Sequence, residues 1–348
     1  VLAGDQQREL LIIGPDATLV TDIEGAASAG DVVVSQATAA QLPSSHTGRA
    51  VGPGLLLRRE PDPAGATERA MAAPAIDRTT LVPAAVRRRV EAGDLESEHR
   101  RVAVGFLHIM GVDEHLATNG PEKTAAALST ITTAVSTAAA DADTCLLASD
   151  LAPDGAKLII TAGTPEGVED IEGRLLLTLR SVFDQDLPLP IRAGAHSGHV
   201  FASNVGAPWR HVFTVIGDAV NLSARLMGKA QPGQIVASRA LLDNTATAFV
   251  TEPLEPFMVK GKRHPQHASL VEERVLEEPR SERMRPPFVG REEELHALTD
   301  ALGRARDGHG SCIELIGPPG IGKSRLLDEL IDRADGIPSV RITCEPFQ

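Results

Sequence analysis

The 348-residue chain has no tyrosine, one tryptophan and eight phenylalanines, so aromatic residues make up only 3% of it. Surfaces that stack successive bases of a single strand are built from such rings, and this composition speaks against that role. Basic residues are scarce as well. Lys and Arg number 34 against 47 Asp and Glu, a net charge of −13, which repels a phosphate backbone unless a local basic patch intervenes. Binding to nucleic acid is therefore not expected. No apolar run approaches the ~20 residues that a membrane span needs, and no signal peptide stands at Val1. The three cysteines, Cys145, Cys312 and Cys344, are too widely spaced for a disulfide scaffold or a zinc ribbon. What is present, 42% hydrophobic and 23% charged residues, suits a protein with ordinary buried cores. The expected setting is cytoplasmic, and the length suits two to three domains at roughly 150 residues each.

Two seams divide the chain. Pro61, Pro63, Gly65, Pro74 and Pro83 punctuate the first, which ends in a short charged helix around residues 86–91. The second is the charged, proline-bearing run EEPRSERMRPP at 277–287. Between them, residues 102–109 (VAVGFLHI) read as a buried strand and 123–142 as an alanine-rich helix. CLLASD and AKLIITAG, joined by Ala-Pro-Asp-Gly, read as a hairpin. A helix at 168–183 and a strand at 189–198 complete the order β-α-β-β-α-β. This is a ferredoxin-like α+β arrangement, an antiparallel sheet with helices on one face.

Residues 211–240 also align without a gap to residues 8–37. Gly14 falls on Gly217, Leu19 on Leu222, Gly25 on Gly228, Gly30 on Gly233 and Ser35 on Ser238, all at one constant offset. The chain therefore reads as the C-terminal half of one domain (1–53), a linker (54–99), a complete second copy (100–275), a linker (276–287) and a further domain (288–348).

The second copy carries chemistry. In TVIGDAVNLSARLMGKAQPGQIVAS a strand, a glycine turn and a helix put Asn221 and Arg225 four residues apart on one helical face. An amide there can hydrogen-bond a ribose and orient its 3′ oxygen, while a guanidinium fork neutralises charge developing on an α-phosphate. Together with IRAGAHSGHVFASNVG, this stretch resembles a class III nucleotidyl cyclase domain, tandem and soluble-adenylyl-cyclase-like, over roughly residues 100–272. The resemblance implies that Asn221 and Arg225 are the transition-state pair. It implies that Thr214 contacts the base edge and that Lys260, in MVKGK, reaches the triphosphate. It also implies Mg²⁺ or Mn²⁺ as cofactor and ATP or GTP as substrate.

Departures from the family pattern are as informative. The family carries its metal carboxylates as Phe-x-Asp-Ile on the first strand and an Asp at the hairpin turn, and paired Mg²⁺ ions there polarise the phosphates. This chain has Phe106-Leu107-His108-Ile109, and an imidazole is a poor ligand for hard Mg²⁺. Asp154 stands at the hairpin turn as the candidate metal ligand. CLLASD shows no counterpart of the base-selecting lysine. In the first copy, Thr18 and Asp22 replace Asn221 and Arg225. Because cyclase sites form between two domains, one giving carboxylates and the other Asn and Arg, the resemblance implies a pseudo-dimer. Its intact site would combine Asn221 and Arg225 with aspartates of the first copy that lie upstream of Val1.

At the C-terminus, SCIELIGPPGIGKSRLLDEL contains Gly317-x4-Gly322-Lys323-Ser324, a Walker A motif expected between a strand and a helix. Backbone amides around Gly317, Gly320 and Gly322 would cradle the phosphates of ATP, with Lys323 adding charge and Ser324 holding Mg²⁺. The preceding Val-Gly-Arg-Glu-Glu-Glu resembles AAA-related signal-transduction ATPases. The residues after Ser324 leave room for one more strand, so the opening part of an α/β P-loop domain is expected. Cys312 and Cys344 read as buried thiols, His196, His199 and His211 as structural, and Arg87, Arg88 and Arg89 as solvated or packed on a neighbour. Two functions remain open. One is a nucleotidyl cyclase joined to a regulatory ATPase, with this chain silent by itself. The other is a pseudo-cyclase that binds nucleotide or a small ligand and signals to the ATPase.

Overall fold

The computed structural model describes residues 1–60, 77–93, 96–207, 210–259, 262, 264–275, 288, 290–316 and 323–334. They fall into two compact units, residues 1–276 and 277–346.

The first unit begins with short strands β1 (Leu2–Ala3) and β2 (Glu9–Leu10), helix α1 (Pro15–Ala26), strand β3 (Val33–Ser35) and helix α2 (Gln36–Ala39). Strands β4 (Thr47–Val51) and β5 (Gly54–Leu57) follow and make a three-stranded sheet ordered β3-β5-β4. Pairing of β5 with β3 carries this segment to Leu57. Helix α3 (Ala84–Glu91) precedes the main body.

That body runs β6 (Glu98–Ile109), α4 (Val112–Asp141), β7 (Cys145–Ala152), β8 (Gly155–Ala162), α5 (Ile171–Phe183), β9 (Ile191–Ala207), β10 (Arg210–Ile216) and α6 (Asp218–Met227). Strand β11 (Ile235–Ser238), helix α7 (Arg239–Leu242) and strands β12 (Phe249–Pro253) and β13 (Ala268–Arg274) close it. The sheet order β12-β13-β11-β9-β6-β8-β7 contains the ferredoxin-like core β9-β6-β8-β7, as the sequence implies. From Val102 to Ile109 strand β6 is buried on both faces, which explains its unbroken apolar run. Ala103, Leu107 and Ile109 pack with Leu128, Ile131, Leu175 and Leu179 of α4 and α5. Val102, Val104 and Phe106 face the other way, toward Phe213, Val215, Ala219 and Met227.

The helix at 123–142 is the second part of α4, which breaks at Gly120 (φ 80°) and restarts at Pro121, a favourable first residue for a helix. The strand expected to end at 198 continues to Ala207 and folds back as β10, with Thr214 opposite Ser203. Helix α6 lies so close to β9 that a Cβ on Gly194 would sit 2.0 Å from the Met227 amide nitrogen. Only glycine fits there.

The repeat seen in the sequence has a counterpart in structure. Helices α1 and α6 each start after a glycine, Gly14 or Gly217, without a side-chain cap. Ser35 and Ser238 each cap the next helix by accepting the amide three residues on, from Thr38 or Leu241. The sheet order β3-β5-β4 matches β11-β13-β12.

In the second unit, helices α8 (Glu292–Arg306) and α9 (Lys323–Arg333) bury Leu295, Leu298 and Leu326 together. Residues 311–316, expected as the strand before the Walker A loop, are irregular, with Ile316 85% exposed. Cys312, expected to be buried, is exposed; Cys344 lies outside the described residues.

Candidate active site

Two half-sites sit on the α6 side of the sheet. The first is α6 itself. Ala219, Leu222, Ser223, Leu226 and Met227 form its buried side, and the apolar spacing at three and four residues is what seats it. Asn221 is exposed and Arg225 half-buried. Among the described residues neither side chain has a hydrogen-bond or salt-bridge partner, so both are available to a ligand. On β10, Val212, Thr214 and Ile216 share one face, with Val212 and Ile216 about half exposed (49% and 53%) and Thr214 half-buried. Lys260 lies outside the described residues. Nearby, Lys262 forms an ion pair with Asp218 in the first turn of α6, a residue that the Lys-Gly motif did not single out.

The second half-site is where the metal carboxylates would stand, and the residues present do not fit a divalent cation. His108 is 4% exposed. Its Nε2 lies 3.1 Å from the Pro153 carbonyl oxygen, and its Nδ1 accepts from Arg192 Nε at 3.2 Å, so both ring nitrogens are engaged. Burial, with Arg192 next in weight, pushes its pKa down to about 4, and the ring is neutral. Lys157 and Arg192 flank His108 directly on β8 and β9, adding positive charge where a cation would bind. Asp154, in the left-handed region at φ 53°, spends both carboxylate oxygens on backbone amides: Oδ2 on Gly111 at 2.9 Å and Oδ1 on Asp113 at 3.0 Å. Among the described residues, no group of three His, Cys, Asp or Glu is placed to hold a metal ion.

Of the P-loop residues, Gly317, Gly320 and Gly322 lie outside the described residues, Lys323 opens α9, and Ser324 follows it in that helix. The arginine run is divided. Arg88 pairs with Glu166 at the surface, while Arg89 is buried against Glu98 and lies 5.4 Å over the Phe213 ring. His196 is a structural histidine whose Nδ1 lies 2.7 Å from Ser238 Oγ.

A ferredoxin-like sheet β9-β6-β8-β7, extended from β9 by β10 and by β11, β13 and β12, with α6 packed on one face, is the fold of a nucleotidyl cyclase domain. The profile of the adenylate and guanylate cyclase catalytic domain family matches residues 95–272. The chain belongs to that family, and residues 287–347 match the AAA ATPase domain profile. The uncharacterized protein Rv1318c of Mycobacterium tuberculosis is 31% identical over 159 residues, covering 44% of this chain and 29% of that one. A Mycobacterium bovis protein, Mb1352c, matches to the same extent. The chain thus spans under a third of the length of these curated relatives. Among solved structures, the adenylyl cyclase CyaB from P. aeruginosa aligns at 21% identity and TM-score 0.45, over 51% of this chain and 97% of its own. The guanylate cyclase domain of RhGC from Catenaria anguillulae, in complex with GTP, aligns at 22% and 0.46, over 51% and 99%. No described helix is long and apolar enough to cross a membrane.

Proposed function

We propose that residues 100–275 supply the Asn and Arg half of a cyclase site that converts ATP, with GTP as the alternative, to a 3′,5′-cyclic nucleotide and pyrophosphate. The observation that carries this reading is the pair Asn221 and Arg225, one turn apart on a helix anchored to the sheet and without a partner among the described residues. The 3′ oxygen attacks the α-phosphorus as the bond to the pyrophosphate oxygen breaks, and the hydroxyl proton leaves to solvent or base. Asn221 would hold the ribose so that this oxygen is in line, and Arg225 would bear the charge that grows on the α-phosphoryl oxygens. Thr214, on the adjoining strand, would meet the base edge and Lys260 the triphosphate. Mg²⁺ or Mn²⁺ would be bound by carboxylates of the partner half, since His108 and Asp154 are committed elsewhere.

Residues 1–57, in this reading, are the C-terminal half of a degenerate cyclase copy. Their elements α1, β3, α2, β4 and β5 reproduce α6, β11, α7, β12 and β13, and they lie against the metal half of the second copy. The carboxylates for Asn221 and Arg225 would come from the same degenerate copy, across a pseudo-dimer. The P-loop segment would bind ATP through Gly317, Gly320, Gly322 and Lys323, with Mg²⁺ on Ser324, and regulate the cyclase. Cyclic nucleotide formation, measured before and after Arg225→Ala, tests the proposal. The opposing reading, a pseudo-cyclase, draws on His108 and on the missing counterpart of the base-selecting lysine in CLLASD. His108 belongs to the other half-site and leaves Asn221 and Arg225 untouched, and turnover lost in Arg225→Ala separates the two readings.

A further inference from the structure

Helix α1 and the hairpin end of the cyclase sheet meet at three residues. The Thr18 hydroxyl donates to Asp113 Oδ2 at 2.6 Å and accepts the Asp154 amide at 2.9 Å. Asp154 in turn caps the first turn of α4 with both of its oxygens, so its charge is already matched by backbone dipoles at a helix N-terminus. By the repeat, Thr18 occupies the position of Asn221, and the exposed acid Asp22 that of Arg225. Here, then, the two halves that would frame a second cyclase site are bound to each other.

We infer that this second contact is a hydrogen-bonded joint, which clamps residues 1–57 to the cyclase domain through Thr18 and leaves a divalent cation only Asp113 Oδ1, a single buried oxygen without a partner, too few ligands to hold it. The two hydrogen bonds of Thr18 make the clamp, and three features keep the cation out. Both ring nitrogens of His108 are used, both carboxylate oxygens of Asp154 are used, and Arg192 and Lys157 repel a cation from either side. The joint converts a lost site into a rigid reference between the two copies. It rests on the docking of residues 1–57 seen in the structure, and it stands whether or not Asn221 and Arg225 turn over substrate.

The test uses the full 348-residue chain. Titration with Mn²⁺ alone, followed by electron paramagnetic resonance, is expected to give the same bound Mn²⁺ for wild type, Asp154→Asn and Thr18→Val. Thermal unfolding is expected to fall by about 4 °C or more in Thr18→Val, since two partly buried hydrogen bonds lose their hydroxyl. Thr18→Ser, which keeps the hydroxyl, should melt close to wild type. A stoichiometric Mn²⁺ site in the wild type that Asp154→Asn abolishes would overturn the exclusion of metal. A Thr18→Val chain that melts with the wild type would overturn the clamp.

Discussion

The hydroxyl of Ser223 lies 2.7 Å from the carbonyl oxygen of Val104 on β6, and 2.9 Å from that of Gly194 on β9. Ser223 sits between Asn221 and Arg225 and is fully buried. This contact fixes the roll of α6 about its own axis and so decides which way the two polar residues point.

Removing that hydroxyl should therefore cost stability and some activity. Ser223→Ala is expected to lower the unfolding free energy by about 1–2 kcal/mol, read from urea denaturation, with turnover reduced several-fold. Gly194→Ala should be worse on both counts, because its Cβ would press α6 away from the sheet. An unchanged urea midpoint in Ser223→Ala would show that the roll is set by apolar packing alone.

Arg225→Ala should lower kcat by about 100-fold or more and change KM much less, because charge on the α-phosphoryl group develops mainly in the transition state. Steady-state kinetics on the assembled cyclase check this. A purely structural arginine would instead shift the melting temperature and leave kcat within a few-fold.

The pattern of this fold is readable in the sequence where burial is one-dimensional. The apolar run of β6, the alanine-rich second part of α4 and the turn at Pro153 and Asp154 all appear as expected, and Ser35 and Ser238, matched in the repeat, both cap the helix that follows them. The Asn and Arg spacing on α6 was legible for the same reason, since helical periodicity alone places them together. What was hidden depends on tertiary approach. Nothing local says that Asp154 turns its carboxylate onto the amides of Gly111 and Asp113, or that Thr18 reaches it across a sequence separation of 136 residues. Nor does the run of three arginines reveal that Arg89 alone is buried, over Phe213. The extension of β9 past residue 198 was obscured because its outer part is only half covered, so its apolar alternation is weak.

The buried His108 and the half-buried His196 give the fold a pH dependence with a defined sign. Burial holds His196 at about 4, with Lys262 and Arg101 pushing the same way and Asp218 opposing; His108 is held at about 4 as well. Both are neutral when folded and titrate near 6.5 when unfolded, so they cost nothing above that value. Stability falls as the pH drops from about 6.5 toward 4, by on the order of 3 kcal/mol for each ring. Denaturant unfolding across this range should show the loss, and His196→Asn should remove about half of it. A slope unaltered in His196→Asn would mean that other groups carry it.

Lys323→Ala should abolish ATP binding by the C-terminal segment, measured in a complete ATPase domain, and leave the melting of the cyclase unit unchanged. Lys323 begins α9, where in the proposed reading its charge would complete a phosphate site. Retained ATP affinity in that variant would remove the P-loop from the account.

The most direct measurement is cyclic nucleotide formation by the 348-residue chain with Mn²⁺ and either ATP or GTP. It is made on the chain alone, and again with a cyclase domain that keeps both metal aspartates but has its own Asn and Arg replaced by Ala. Background turnover is expected from the chain alone, and clear turnover from the mixture that disappears with Arg225→Ala. Substantial turnover by the chain alone, or a mixture indifferent to Arg225→Ala, would contradict the half-site.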